Sequence, residues 1–151
     1  MDEQRFRTAM SRFPTGVTVI TTNIDGITHG MTANAFMSVS LNPMLIAVSV
    51  ANKAAMHAYL AQSGRFAVNL LTKQQADIST HFAGGPQVDN ISFETFDQLP
   101  ILRDALAYIT CDVHNAHQEG DHTIYIGAVR DLVVNDEQPL AYFSGKYCGV
   151  M

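Results

Sequence analysis

The sequence predicts a mainly β domain: an antiparallel sheet closed or partly closed into a barrel, with a few short helices on its periphery. Three observations predict it. Runs of strand length, apolar or alternating, recur between residues 17 and 143. Most are joined by short, hairpin-like connections. The strand-helix-strand alternation that marks a parallel sheet does not run through the chain. At 151 residues the length prior gives one domain, residues 1–151, large enough to bury a substantial core.

The elements follow in order. Residues 2–12 place Phe6, Ala9 and Met10 at the three-and-four spacing of a short amphipathic helix; Phe13 continues the stripe and Pro14 ends it. Residues 17–22 alternate as a strand, and Asp25-Gly26 is a hairpin signal leading into residues 27–31. Residues 45–50 are a continuous apolar run of strand length. Residues 54–62, rich in Ala, Met and Leu, read as a helix closed by Ser63-Gly64. A strand over 66–71 and a helix over 73–82, ended by Gly84-Gly85, come next. The last third is β again: 107–118, a turn at Glu119-Gly120-Asp121, 122–134, and 140–143. The sum is about seven strands and three short helices.

One segment stands apart. In residues 30–43 the odd positions Met31, Ala33, Ala35, Met37, Val39 and Leu41 are apolar. The even positions, Phe36 excepted, carry short hydroxyls or amides: Thr32, Asn34, Ser38, Ser40, Asn42. Period two reads as a single strand with an oily face and a face of compact, uncharged hydrogen-bonding groups. A solvated face normally carries Lys, Glu and Arg, so this polar face is covered. Two covers fit equally well: a flat heteroaromatic ligand, or a neighbouring layer of protein.

Composition removes several function classes. Charged residues make up 15% and hydrophobic residues 47%, a sparsely charged surface that favours an oligomer. A formal charge of −5 without a Lys/Arg cluster argues against nucleic acid or an anionic membrane as partner. Cys111 and Cys148 form no CxxC, which suggests neither a zinc site nor a disulfide framework. The N-terminus lacks the apolar core of a signal peptide and no window has the length of a membrane span, so the expected location is the cytoplasm. GxGxxG, GxxxxGK[ST] and GxSxG are absent. His114 and His117, three apart in a strand, face opposite sides and suit one metal ion poorly, so no metal ligands are assigned.

The candidate polar groups are few. His122 opens a strand just after the Gly120-Asp121 turn, where a hydrogen bond to a carboxamide, ribose or phosphate competes with an ordinary surface role. Lys53 precedes a helix N-terminus, where backbone N–H groups, helix dipole and ammonium act together on an anion; equally, Asn52 merely caps the helix. In Phe143-Ser-Gly-Lys-Tyr147 the ring of Tyr147 and the charge of Lys146 suit an aromatic ligand and a phosphate, or belong to an exposed tail.

Five stretches in register, Phe13-Pro-Thr-Gly-Val-Thr-Val-Ile-Thr-Thr22, the whole of residues 30–43, Phe66-Ala-Val-Asn-Leu-Leu71, Gly120-Asp-His-Thr-Ile-Tyr-Ile-Gly127 and Phe143-Ser-Gly-Lys-Tyr147, resemble the short-chain flavin reductases of two-component monooxygenases. The similarity is greatest to the reductase components of phenol and 4-hydroxyphenylacetate hydroxylases. The resemblance implies an FMN-binding split barrel, Greek-key-like, acting as a homodimer with its flavin near the subunit interface. It implies that Thr32, Ala33, Asn34, Ala35, Phe36, Ser38 and Val39 contact the isoalloxazine and ribityl chain, that Lys53, Ala54 and Ala55 receive the flavin phosphate, and that Phe82 borders the flavin. It places His122 on the nicotinamide side and Gly145, Lys146 and Tyr147 in a tail over the nucleotide.

The implied activity is hydride transfer from NADH to bound flavin, with reduced flavin passed to a separate oxygenase. The cofactor supplies the reactivity and the protein supplies position, so no catalytic acid, base or metal is needed. FAD, FMN and riboflavin share the isoalloxazine, so the strand reads alike for all three. NADH is favoured over NADPH because no clear Arg pair awaits a 2′-phosphate. Two other classes stay open on the residues: a flavin-binding electron carrier of the same fold without nicotinamide turnover, and a ligand-free interaction domain whose polar strand is simply packed.

Overall fold

The computed structural model describes residues 1–150. Its elements are helix α1 (Glu3–Ser11), strands β1 (Thr15–Gly16), β2 (Thr18–Ile24), β3 (Ile27–Ala33), β4 (Phe36–Leu41) and β5 (Met44–Ala51), helix α2 (Ala55–Ser63), strand β6 (Arg65–Leu70) and a 3-10 turn (Lys73–Gln75) leading into helix α3 (Ala76–Phe82). Strands β7 (Phe93–Phe96), β8 (Leu99–Leu102), β9 (Ala107–Glu119), β10 (His122–Val134), β11 (Leu140–Phe143) and β12 (Lys146–Gly149) complete it. No helix among the described residues is long and apolar enough to cross a membrane.

Seven strands form one antiparallel sheet in the order β3-β2-β6-β9-β10-β5-β4. Its two edges, β3 and β4, are consecutive in the chain and joined only by Asn34 and Ala35. So short a link spans opposite edges only if the sheet curls until they nearly meet. The result is a barrel with a split, and the uncharged segment lies along it. A three-stranded sheet, β1-β11-β12, and the hairpin β7-β8 flank the barrel.

Local chemistry explains the turns and bends. Asp25 and Gly26 have φ of 51° and 82°, the two positive values that let a tight hairpin follow the strand twist. Register shifts in β10 fall between Ile126 and Gly127 and between Val129 and Asp131, and such bulges bend the long β9-β10 arm around the core. Gly127 is required there: a Cβ would lie 2.8 Å from Phe66 Cζ and 2.9 Å from Cys111 Cβ. Ile20, Val48, Leu60, Phe66 and Tyr125 fill the barrel, each contributing about 1.5–3 kcal/mol by leaving water. Burial pushes the Cys111 thiol up to about 12, which leaves it a packing residue.

Several expectations change. Residues 30–43 are two strands, because the chain breaks at Asn34-Ala35 and β4 turns over relative to β3. Met31 and Ala33 face the core, as does Phe36, whereas Met37, Val39 and Leu41 are exposed. The alternation therefore does not mark one continuous oily face. The helix expected over 73–82 begins as a 3-10 turn, with Thr72 and Gln75 forming a capping box. Among the described residues there are twelve strands, the short β1, β7, β8 and β12 adding to those expected. The apolar stripe of α1, Phe6 and Met10, stays exposed and covers none of the chain's own core.

The β7-β8 turn gives a pH prediction. Asp97 and Gln98 hold φ of 49° and 65°, the left-handed region that Asp enters more readily than Gln. Arg130 Nε donates to Asp97 Oδ2 at 2.8 Å and Thr110 Oγ1 donates to the same oxygen at 2.9 Å. These hydrogen bonds, that from Arg130 first, lower the Asp97 carboxyl from 3.8 to about 2. A carboxyl depressed in the folded state stabilises it above its unfolded value and ceases to do so as pH falls through the folded one. Urea unfolding from pH 6 to pH 2 will show the wild type losing stability between about pH 4 and pH 2, and Asp97→Asn, weaker at pH 6, will show a shallower acid limb.

Candidate active site

The site begins at the break between β3 and β4. The Phe36 N–H donates to the Asn34 carbonyl at 3.0 Å and the Ser49 N–H to the Ala35 carbonyl at 3.1 Å. These bonds hold Asn34 and Ala35 as an exposed corner over β5. As edge strands, β3 and β4 each carry a row of outward backbone N–H and C=O groups that no further strand of the sheet takes. In β4 the register slips between Ser38 and Ser40, leaving Val39 as the extra residue. That bulge lets Ser38 and Val39, neighbours that a regular strand sends to opposite faces, serve one surface.

Two cavities meet at Asn34. The larger, about 900 Å³, is a mostly apolar groove lined by Asn34, Ala35, Phe36 and Ser49 together with Phe13 and Ile124. The smaller, about 200 Å³, is lined by Thr32, Ala33, Asn34, Ser79, Ala83 and Tyr147. Thr32 Oγ1 donates to the Ser79 carbonyl at 2.5 Å, and Thr18 Oγ1 donates to the Ala33 carbonyl at 2.7 Å. The first commits the Thr32 hydroxyl to helix α3, and the second holds the last backbone carbonyl of β3. Phe82, at the end of α3, lies over Gly30, where a Cβ would come within 2.7 Å of its ring.

The C-terminal segment is structured: β11 and β12 form a hairpin that turns at Ser144 and Gly145, with φ of 50° and 78°. It brings Tyr147 back to the barrel, where its hydroxyl shares a 2.7 Å hydrogen bond with the fully buried Ser79. Lys146 stays exposed beside it.

A polar corner lies where α2 begins. Asn52 does not cap the helix: its Oδ1 accepts from Thr123 Oγ1 at 2.6 Å, tying β5 to β10. The N-cap is Ala54, without a side-chain cap, so the first N–H groups of α2 lack the partner that Ser or Asp usually provides. Lys53 is exposed next to them. The His122 ring binds Asp121 Oδ1 through Nδ1 at 2.7 Å. The His122 hydrogen bond, then the charges of His122 and Lys53, hold the Asp121 carboxyl below its ordinary value. An ionised carboxylate only accepts, so Nδ1 carries the proton and Nε2 is left outward. Because β10 alternates, His122 shares the face of Ile124, which lines the larger groove.

A flavin reductase like domain matches residues 10–151. The chain belongs to the flavin reductase like family. An NADH-dependent flavin reductase of a Rhodococcus species is 38% identical over 93% of this chain and 82% of its own. The reductase component of 4-hydroxyphenylacetate 3-monooxygenase from Thermus thermophilus is also 38% identical, over 96% and 95%. The structure of flavin reductase PheA2 superposes with a TM-score of 0.97 at 50% identity, over 100% of this chain and 99% of that one. The NADH:FAD oxidoreductase SgcE6 of Streptomyces globisporus, in complex with NAD and FAD fragments, gives 0.92 at 33%, over 97% and 92%. The mainly β antiparallel fold and the family resemblance both stand.

This flavin reductase brings many of the expected site residues together. Thr32, Ala33, Asn34, Ala35, Phe36 and Tyr147 line the two cavities that meet at Asn34. Lys53, Ala54 and Ala55 adjoin the polar corner and the uncapped helix end. Phe82 sits beside the site, on Gly30. Ser38, Val39, Lys146 and His122 are exposed, and none of them lines either cavity. The sequence reading missed Ser79, whose partner Tyr147 is 68 residues away, and no local pattern signals such a pair. The residues present suit a flavin: neutral edge backbone and small side chains for a flat ring, an uncapped helix end and a lysine for a phosphate. Among the described residues no group of three or more His, Cys, Asp or Glu is placed to hold a metal.

Proposed function

We propose that this chain is an NADH:flavin oxidoreductase that passes reduced flavin to a separate oxygenase. The observation that carries the reading is the uncharged Asn34-Ala35 corner, set between two edge strands at the junction of two cavities. A bound flavin supplies the hydride-accepting chemistry, and FAD or FMN fills that place. Thr32, Ala33, Asn34, Ala35, Phe36, Ser38 and Val39 position the ring system through edge backbone groups and small side chains. Lys53, Ala54 and Ala55 hold the phosphate, and Phe82 closes one border. His122 presents Nε2 to the nicotinamide side, while Gly145, Lys146 and Tyr147 cover the nucleotide. Residues 1–151 act as one domain in the cytoplasm, where NADH is available.

The same reading makes the protein a homodimer. Phe6, Met10, Met37, Leu41, Met44 and Val134 are exposed apolar residues, and a second copy covers such a surface best. Sedimentation measures the result directly.

Steady-state NADH and NADPH oxidation, crossed with FMN, FAD and riboflavin, tests the activity. NADH turnover that depends on flavin supports it; a carrier of the same fold binds flavin and oxidises almost no NADH. Replacing His122 by Ala will raise the KM for NADH by about tenfold, the scale of one lost hydrogen bond. Flavin affinity will change much less. An unchanged KM removes His122 from the nicotinamide side.

A further inference from the structure

Helix α3 carries two adjacent hydroxyls that behave differently. Thr80 Oγ1 turns back along the helix and donates to the Ala76 carbonyl at 3.1 Å, the common local bond of a hydroxyl inside a helix. Ser79 makes no such bond. It is fully buried, and among the described residues its hydroxyl has one partner, the Tyr147 hydroxyl at 2.7 Å. The Ser79 carbonyl is engaged as well, by the Ala83 N–H at 3.1 Å and by Thr32 Oγ1 at 2.5 Å. One residue thus ties β12 through its side chain and β3 through its backbone, and Tyr147 and Thr32 are two walls of the smaller cavity.

Proton supply sets the direction of the 2.7 Å bond, since each hydroxyl has one proton to donate. If Tyr147 donated to Ser79, the Ser79 proton would be buried with nothing to receive it, an arrangement that folded proteins avoid. Ser79 therefore donates and Tyr147 accepts. The proton of Tyr147 is then uncommitted: Thr80 Oγ1, at 3.5 Å, is too far for an O–H···O bond. Thr32 offers no such proton, because its own is spent on the Ser79 carbonyl. No residue lining the smaller cavity is charged, so a neutral oxygen is preferred there over a phosphate.

We infer that Ser79 is a positioning residue: it holds the Tyr147 oxygen as an acceptor and so leaves the Tyr147 O–H to donate, within the smaller cavity, to a carbonyl oxygen on a bound ring. The inference rests on the site proposed above and reaches it through Asn34, which lines both cavities. Two molecules bring such an oxygen, flavin on its isoalloxazine and NADH on its carboxamide. The tail does not need the Ser79 bond to stay in place. Strand β12 remains paired with β11, and the N–H of the turn residue Ser144 donates to the Ser11 carbonyl at 2.9 Å. Removing the Ser79 hydroxyl therefore frees one O–H to turn away, not a strand to detach.

Titration with FMN and FAD followed by fluorescence, steady-state NADH oxidation and thermal unfolding test the role in the wild type, Ser79→Ala, Tyr147→Phe and the double variant. The expected result is a loss of about fivefold in each single variant, in flavin affinity or in the KM for NADH, the scale of one hydrogen bond. The kcat should stay within about twofold. The double variant should lose no more than either single one, because Ser79 acts only through Tyr147. A loss confined to flavin affinity assigns the carbonyl to the isoalloxazine, and a rise confined to the KM for NADH assigns it to the carboxamide; both uphold the role of Ser79. A lower Tm with unchanged affinity and KM makes the bond a structural tie and overturns the inference. So do additive losses in the double variant, or a Tyr147→Phe that binds both molecules as the wild type does. A wild type that neither binds flavin nor oxidises NADH refutes the site itself, and the role of Ser79 with it.

Discussion

Replacing Ala35 by Glu will lower flavin affinity by roughly a hundredfold or more, since a neutral ring laid on this corner would strip water from a carboxylate that has no partner there. Ala35 is exposed at the corner between β3 and β4, and its carbonyl is the group held by Ser49. The side chain takes no part in the core, so the variant should keep the wild-type unfolding temperature within a few degrees. What changes is the surface at which a ring system must lie. The segment from Gly30 to Pro43 carries no charge, and reduced flavin gains negative charge, so a carboxylate at the corner opposes both the approach and the reduced state. Ala35→Gln, similar in length and neutral, separates charge from bulk. If Glu and Gln weaken binding equally, size is the cause. If neither weakens it, the ring does not lie at this corner. Visible absorbance and fluorescence of titrated FMN and FAD give the answer.

The alternation that pointed to this corner also concealed its shape. Met31 and Ala33 face the barrel interior, but beyond the break Met37, Val39 and Leu41 continue the same odd-numbered apolar pattern on a strand that has turned over, and they are exposed at 59%, 44% and 89%. A binary pattern records that a position is covered, not what covers it. It therefore could not distinguish the chain's own core from a surface left for another molecule. The helix α1 stripe carries the same ambiguity, for the spacing of Phe6 and Met10 marks an amphipathic face and both lie outside the core.

Where the signals were local, they were sufficient. Strands 122–134 and 140–143 begin and end where turn residues and apolar runs place them, and the Asp25-Gly26 hairpin forms with the backbone its sequence requires. Strands β1, β7, β8 and β12, of two to four residues, are too short to show a period. The site is less legible than the fold because its walls meet across long sequence separations. Tyr147 reaches Ser79 and Thr123 reaches Asn52 over 68 and 71 residues. The second pair explains why Asn52, a good helix cap by sequence, leaves α2 uncapped: its side-chain oxygen is already used by β10.

The largest effect on stability is expected at Asn69, next to the last residue of β6 and fully buried. Its Nδ2 donates to the Val19 carbonyl at 2.9 Å and to Thr21 Oγ1 at 3.1 Å, while its Oδ1 accepts from the Leu102 N–H at 2.8 Å. One amide thus joins β2, β6 and β8, and it ties the β7-β8 hairpin to the barrel by a buried polar bond. Thr21 Oγ1 in turn donates to the Pro100 carbonyl at 2.6 Å, a second tie to the same hairpin. Asn69→Leu fits the volume and removes all three bonds. The Leu102 N–H is then buried without an acceptor, and the variant should lose about 3 kcal/mol, the scale for an orphaned donor together with its broken network. For a chain of this size that lowers Tm by roughly 6–12 °C. In urea the midpoint should fall with an unchanged m-value, since the surface exposed on unfolding is the same. Asn69→Asp discriminates further: it keeps an acceptor for Leu102 but loses both donated bonds and adds a buried charge, so its deficit should shrink as pH is lowered and the carboxyl takes up a proton. If Asn69→Leu were as stable as the wild type, the Asn69 amide would contribute nothing net, and the Thr21–Pro100 bond, the Asp97 contacts and the buried Leu99, Ile101 and Leu102 would account for the attachment of the hairpin to the barrel.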